Sequence, residues 1–332
     1  MPLKKRIAVT LPAGPGLEPT INLLRWAQDH GIEDAWFSDA GGMDALTQAA
    51  AVASSTGAMR IGVAVTPVYT RTPAVLAATA AVIAQVLPGR FVLGLGSSSQ
   101  TIMGQWNGIP LDRPLTRVRE TATMVRSMLR GEKSDFELET LYSRGYQQWP
   151  TENPPPIYLA ALRQKMIEMA AEVGDGVVIN LWPRGALPRI LDHVRIGAER
   201  AGKDPAEVEL VNRAMVLVTD DRSAGRDAFR RAFAPYYATP VYNRFLAWAG
   251  YEDAAARIRE GWAQKDRTKT AAALSDELID EIGVIGTEEE VRERIRADAH
   301  AGIHTQIIAP IPCESGDMQH TFDAFRADRF SF

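Results

Sequence analysis

Four short stretches carry groups able to hold a polar or planar ligand. The first runs from Ser38 to Gly42 (SDAGG), where the Asp39 carboxylate can accept hydrogen bonds from ligand donors or cap the helix that follows. The second runs from Gly62 to Pro67, where Val63, Ala64 and Val65 are small enough to let a flat ring approach the backbone and Thr66 adds a hydroxyl. A proline-terminated strand with ordinary barrel filling explains the same residues. The third, Leu93 to Gln100 (LGLGSSSQ), is a glycine-serine loop whose N–H groups and hydroxyls at Ser97, Ser98 and Ser99 suit a polar chain or a phosphate. It fails the dinucleotide spacing at Ser99, and a plain turn is its other reading. In the fourth, Ile157 to Met166, a strand runs straight into a helix start, with Arg163 and Lys165 beside the positive end of the helix dipole. Both side chains read equally as solvated surface residues.

These stretches need a scaffold that brings strand ends together. Short β-branched runs alternate with helical periods along the chain. The runs predict strands at 6–11, 35–38, 60–66, 91–95, 156–160, 177–180, 209–218 and 305–309. Helices are expected at 18–30, 44–56, 73–86, 115–129, 164–172, 288–301 and 317–327. Eight strands with intervening helices fit a closed (β/α)8 barrel of the α/β class. Its site must then lie where the strands' C-terminal ends meet the βα loops. The 332 residues read as one domain, with a helical insertion at about 223–282 that holds Tyr236, Tyr237, Tyr242, Phe245 and Trp248.

Composition narrows the partners. Apolar residues make up 46% and charged residues 23%, enough for a sizeable core. With 37 basic against 41 acidic residues, the net charge of −4 gives no electrostatic reason to expect nucleic acid. The apolar run after Lys4, Lys5 and Arg6 meets Pro12 and Pro15 too soon for a secretory signal, and none reaches the length of a membrane span. One cysteine, Cys313, leaves no internal disulfide and no multi-cysteine zinc site. The expectation is a cytoplasmic protein acting on a small molecule. Its five histidines lack metal-ligand spacing, and no nucleophile elbow or P-loop is present. A barrel with phosphate-friendly loops and no evident acid–base pair suggests that a cofactor supplies the chemistry.

The ordered stretches resemble a known group. Gly89 to Gly96 (GRFVLGLG), Pro114 to Glu132, Pro155 to Ala161 (PPIYLAA) and Ala171 to Val177 (AEVGDGV) are similar to the bacterial-luciferase-like superfamily. Within it the nearest branch is the coenzyme F420-dependent oxidoreductases, of the methylenetetrahydromethanopterin reductase kind. The resemblance implies a deazaflavin site in which Asp39 contacts the ring or its side chain. It also implies a third-strand bulge at Val63, Ala64 and Val65 with a non-proline cis peptide, and Thr66 as a cofactor contact. Ser97 and Ser98 match loop contacts. Ala161, Leu162, Arg163, Lys165 and Met166 match the segment holding the cofactor's phosphate-bearing tail. A homodimer is implied as well.

Departures from the branch bear on the substrate. F420-dependent glucose-6-phosphate dehydrogenases carry a histidine where Ala40 stands, a glutamate at Ser99 and a threonine at Asn180, so sugar-phosphate oxidation does not fit. Leu11 and Pro12 replace an acidic residue of the reductases, which disfavours a pterin. Candidate substrate contacts are Ser99, Asn180, Trp182 and Arg213; Trp182 reads equally as helix packing. The expected activity is hydride transfer between reduced F420 and an organic substrate. The rivals are an FMN-dependent monooxygenase on the same fold and a non-redox barrel for a phosphorylated ligand.

Overall fold

The computed structural model describes residues 3–12, 14–313 and 318–332. Eight parallel strands form a closed ring: β1 (Arg6–Thr10), β2 (Asp34–Phe37), β3 (Arg60–Val63), β4 (Phe91–Gly96), β5 (Ile157–Ala160), β6 (Gly176–Asn180), β7 (Glu209–Val218) and β8 (Thr305–Pro310). Each pairs with its neighbours in sequence order, and β8 closes on β1 with Arg6 opposite Thr305. The (β/α)8 barrel is therefore present.

Around it run α1 (Glu18–Asp29), α2 (Ala45–Ala51), α3 (Pro73–Val86), α4 (Pro114–Leu129), α5 (Gln164–Val173) and α6 (Leu187–Arg200). Five more, α7 (Arg222–Ala238), α8 (Pro240–Trp248), α9 (Glu252–Ala263), α10 (Arg267–Ala272) and α11 (Asp276–Ile282), occupy the interval read as an insertion. Then come α12 (Glu288–His300), opened by a Thr287–Glu290 capping box, and α13 (Met318–Asp323). The expected start of that last helix, Asp317, lies outside the described residues. No helix among the described residues is long and apolar enough to cross a membrane.

Alternation along the strands sorts their side chains into an outer layer under the helices and an inner column. Ala8, Trp36, Val92, Tyr158, Val178, Val211 and Ile307 pack together inside. Trp36 lies so close over Gly62 that a Cβ there would come within 2.3 Å of its ring. Large and small residues thus fill the cylinder as a packed core. Below them, at the N-terminal end, Arg6, Asp34, Arg60, Glu209 and Thr305 form a charged floor. Above them is the mouth.

Several expectations differ from the structure for local reasons. The third strand ends at Val63, not Thr66; the chain bulges at Ala64 and Val65 and pairs again through Thr66–Pro67, with Thr66 opposite Leu95. The long alanine-rich helix stops at Ala51 and continues as a 3-10 turn, Ala53–Ser55. Three short elements had no sequence signal: a hairpin of Asp135–Glu137 with Tyr142–Arg144, a strand Val284–Gly286 beside β7, and a π-helical turn Thr101–Trp106.

Candidate active site at the barrel mouth

The ends of β3, β4 and β5 converge. The peptide between Ala64 and Val65 is cis, inside the bulge expected from the resemblance. Val65 lies over β4: a Cβ on Gly96 would meet its Cγ2 at 2.5 Å and the Ala160 Cβ at 3.2 Å. A Cβ on Gly94 would run into the Val63 carbonyl oxygen at 1.8 Å. Two glycines at the tip of one strand therefore let the bulge settle against the barrel, leaving a small-residue floor of Ala64, Val65, Gly96 and Ala160. Thr66, beside it, is fully buried, and its hydroxyl has no partner among the described residues.

Asp39 does not cap a helix. Asp44 does, accepting the Thr47 N–H at 2.7 Å. The Asp39 carboxylate instead faces Arg71 at 3.4 Å, and Arg71 also pairs with Asp44. One guanidinium from the loop before α3 thus fixes the orientation of the acid at the β2 tip.

The serine loop divides. Ser97 and Ser98 follow the strand, with Ser98 at φ +62°. Ser99 accepts the Ile102 N–H at 3.2 Å and opens the turn Thr101–Trp106. Its hydroxyl accepts from that turn and keeps its own proton to donate. Trp182 makes contacts of the packing kind, the second of its two readings. Its indole donates to Asn212 Oδ1 at 2.8 Å, and Asn212 in turn donates to Gln306. Asn212 and Gln306 alternate with the inward Val211 and Ile307, so Trp182 packs outside the wall.

At the start of α5, Arg163 holds the N-cap position without capping the first turn through its side chain. Ala161 is buried and spends its N–H on the Val178 carbonyl, while Leu162 and Met166 pack on the core. Burial, and then the neighbouring Arg244, lower the Arg163 pKa. Arg244 comes from α8, so the insertion brings a second guanidinium to this helix start, with Lys165 exposed alongside. Sequence reasoning missed Arg244, because only the fold of the insertion reveals what it faces. Three cations and a helix N-terminus make a site suited to an anion.

Next to it around the ring, Arg213 of β7 stands in register with Asn180 of β6, the strand paired with β5. Each lies two residues above an inward neighbour, Val211 and Val178, which places both at the top of the interior column. Asn180 donates to the Tyr242 hydroxyl at 3.1 Å, while its own Oδ1 has no partner among the described residues.

With this geometry the comparisons can be read. A model of luciferase-like monooxygenases matches residues 3–305. The chain belongs to the luciferase-like monooxygenase family. Among its relatives, a 5,10-methylenetetrahydromethanopterin reductase of Archaeoglobus fulgidus is 29% identical over 294 residues, covering 87% of this chain and 88% of that one. An F420-dependent glucose-6-phosphate dehydrogenase of Rhodococcus erythropolis is 27% identical, over 68% of this chain and 72% of its own. Among solved structures, the coenzyme F420-dependent tetrahydromethanopterin reductase from Methanopyrus kandleri shares the fold at a TM-score of 0.82. It is 19% identical and is covered, like this chain, to 98%. For this family member, then, the barrel mouth is where cofactor and substrate must meet.

Proposed function

We propose that this protein is an F420-dependent oxidoreductase that moves hydride between the reduced deazaflavin and a small organic substrate. The observation that carries the proposal is a pairing of two features at one mouth. A glycine-backed floor of Ala64, Val65, Gly96 and Ala160 suits a flat ring, and a cationic helix start suits an anionic tail. Relatives named for F420 support the choice of cofactor. Asp39, Val63, Ala64, Val65, Thr66, Ser97 and Ser98 would hold the ring and its linker. Ala161, Leu162, Arg163, Lys165 and Met166, joined by Arg244, would hold the tail. When bound, the deazaflavin supplies a hydride from its C5 position. The protein's part is to fix the ring, exclude water and orient the substrate.

Titration of purified protein with F420 and with FMN tests this directly. Saturable perturbation of the deazaflavin absorbance is the expected result; binding of FMN alone would replace the reading with a flavin monooxygenase. The tail assignment has its own test. Arg163→Ala and Arg244→Ala are each expected to weaken F420 about tenfold, with a shallower salt dependence. Binding of the deazaflavin chromophore lacking its phosphate tail should be unaffected in both variants. A loss for both ligands would instead show a distorted mouth.

A further inference from the structure

Arg213 is part-buried, and its guanidinium pairs with no carboxylate among the described residues. Its Nε is out of contact with solvent and lacks an acceptor among the described residues, where the guanidinium's one hydrogen bond is a weak one from Nη1 to the Met215 sulfur at 3.6 Å. The side chain sits between two packed regions. Below it, Val211 belongs to the interior column; above it, Met215 and Leu217 join Phe229, Phe233 and Tyr237 of the insertion. The titratable groups nearest to it are the phenols Tyr236 and Tyr242, and burial lowers its pKa. Beside it Asn180 Oδ1 is also unpartnered, and the Tyr242 hydroxyl accepts from Asn180 while keeping its own proton to donate. Withdrawing an unpaired charge from water is costly, so such an arrangement persists where a ligand completes it.

We infer that Arg213, Asn180 and Tyr242 form the substrate's anchoring subsite, and that the group anchored is a carboxylate. Two N–H groups of a guanidinium match two carboxylate oxygens, and the Tyr242 O–H adds a third donor. Asn180 Oδ1 is left to accept from a neighbouring hydroxyl or amine of the same molecule. One guanidinium neutralises one charge, which favours a carboxylate over a phosphate dianion. The phosphate-type site, with several cations, is the α5 start. The word "substrate" here rests on the oxidoreductase reading; the anion site itself does not.

The test uses acetate and benzoate against acetamide and benzamide, titrated calorimetrically into the purified protein. At least one acid is expected to bind about tenfold more tightly than its amide. Arg213→Gln should abolish that preference, and Tyr242→Phe should reduce it severalfold. Arg213→Met should also raise the melting temperature of the ligand-free protein by about 2 °C, because it removes an unpaired, part-buried charge. Acids bound no better than amides would overturn the inference. So would an Arg213→Met protein that melts lower, since the arginine would then be a structural support. F420 titration is the separate control. Retained F420 binding without acid preference sinks this subsite alone, and acid preference without F420 binding sinks the redox reading alone.

Discussion

Replacing Arg60 with methionine is expected to destabilise the protein by about 3–5 kcal/mol, the usual cost of stripping a buried ion pair of one partner. Arg60 is the hub of the barrel floor. It donates to Asp34 at 2.8 Å through Nε, to both Glu209 oxygens at 2.8 and 2.9 Å, and to Thr305 Oγ1 at 2.9 Å. The Tyr158 hydroxyl and Thr305 complete the shell of Glu209. Arg6 lies 3.7 Å from Asp34, so two cations balance two carboxylates inside the sheet. Methionine removes one cation, leaving a net negative floor whose carboxylates are buried. Urea unfolding at neutral pH reads the loss; a change below about 1 kcal/mol would mean that water reaches the floor.

The same floor gives a pH dependence. Burial alone would raise the Glu209 pKa, but the hydrogen bonds and charge of Arg60, with Thr305 and Tyr158, hold it down at about 2 from a normal 4.5. A depressed carboxylate contributes stability that is complete above its unfolded value and is lost as pH falls from 4.5 towards 2. For Glu209 that contribution is about 3 kcal/mol. Asp34 acts in the opposite sense, since burial outweighs its arginine neighbours and raises its pKa. Wild-type protein should therefore lose stability below pH 4.5 more gently than Glu209 alone dictates. Glu209→Gln should be destabilised already at pH 7 and show a flatter acid limb.

How much of this was legible in the sequence depends on the distance over which each feature is decided. Strand alternation is local, so the eight barrel strands and the mouth could be read from β-branched runs alone. The Gly94 and Gly96 tip and the Ala64–Val65 bulge were visible as motifs, the latter through family resemblance. Arg213 was legible as a candidate substrate contact, although its lack of a partner is a property of the whole fold. Other roles turn on contacts that no spacing encodes. Ser99 follows β4 and Asn180 ends β6, yet the Ser99 hydroxyl accepts from a local turn while Asn180 Oδ1 is left without a partner among the described residues. Arg244 acts on the charge of Arg163 only because α8 folds back beside the start of α5, where Trp248 donates to Gln164. The floor residues Asp34, Arg60 and Glu209 each begin a different strand, and only ring closure makes them neighbours. Trp182 had two readings because an aromatic just past a strand tip can turn either way.

The two glycines at the end of β4 should respond very differently to the same added methyl. At Gly94 a Cβ would sit 1.8 Å from the Val63 carbonyl oxygen, a backbone atom held by its own strand. Neither partner can rotate away, so β3 and β4 would have to part, breaking the pairing of Gly62 with Val92. Gly94→Ala is expected to yield little folded protein, a loss beyond the roughly 1–3 kcal/mol of ordinary overpacking. At Gly96 the obstacles are side chains, Val65 Cγ2 at 2.5 Å and Ala160 Cβ at 3.2 Å. Val65 can change rotamer, and the direction open to it is the mouth. Gly96→Ala should therefore fold with a modest drop in melting temperature while losing about tenfold or more in F420 affinity. Restoring room with Val65→Ala in the same chain should recover most of the binding, because the two changes act on one contact. Equal effects of both alanines on stability, or full F420 binding by Gly96→Ala, would show that the ring rests elsewhere in the barrel.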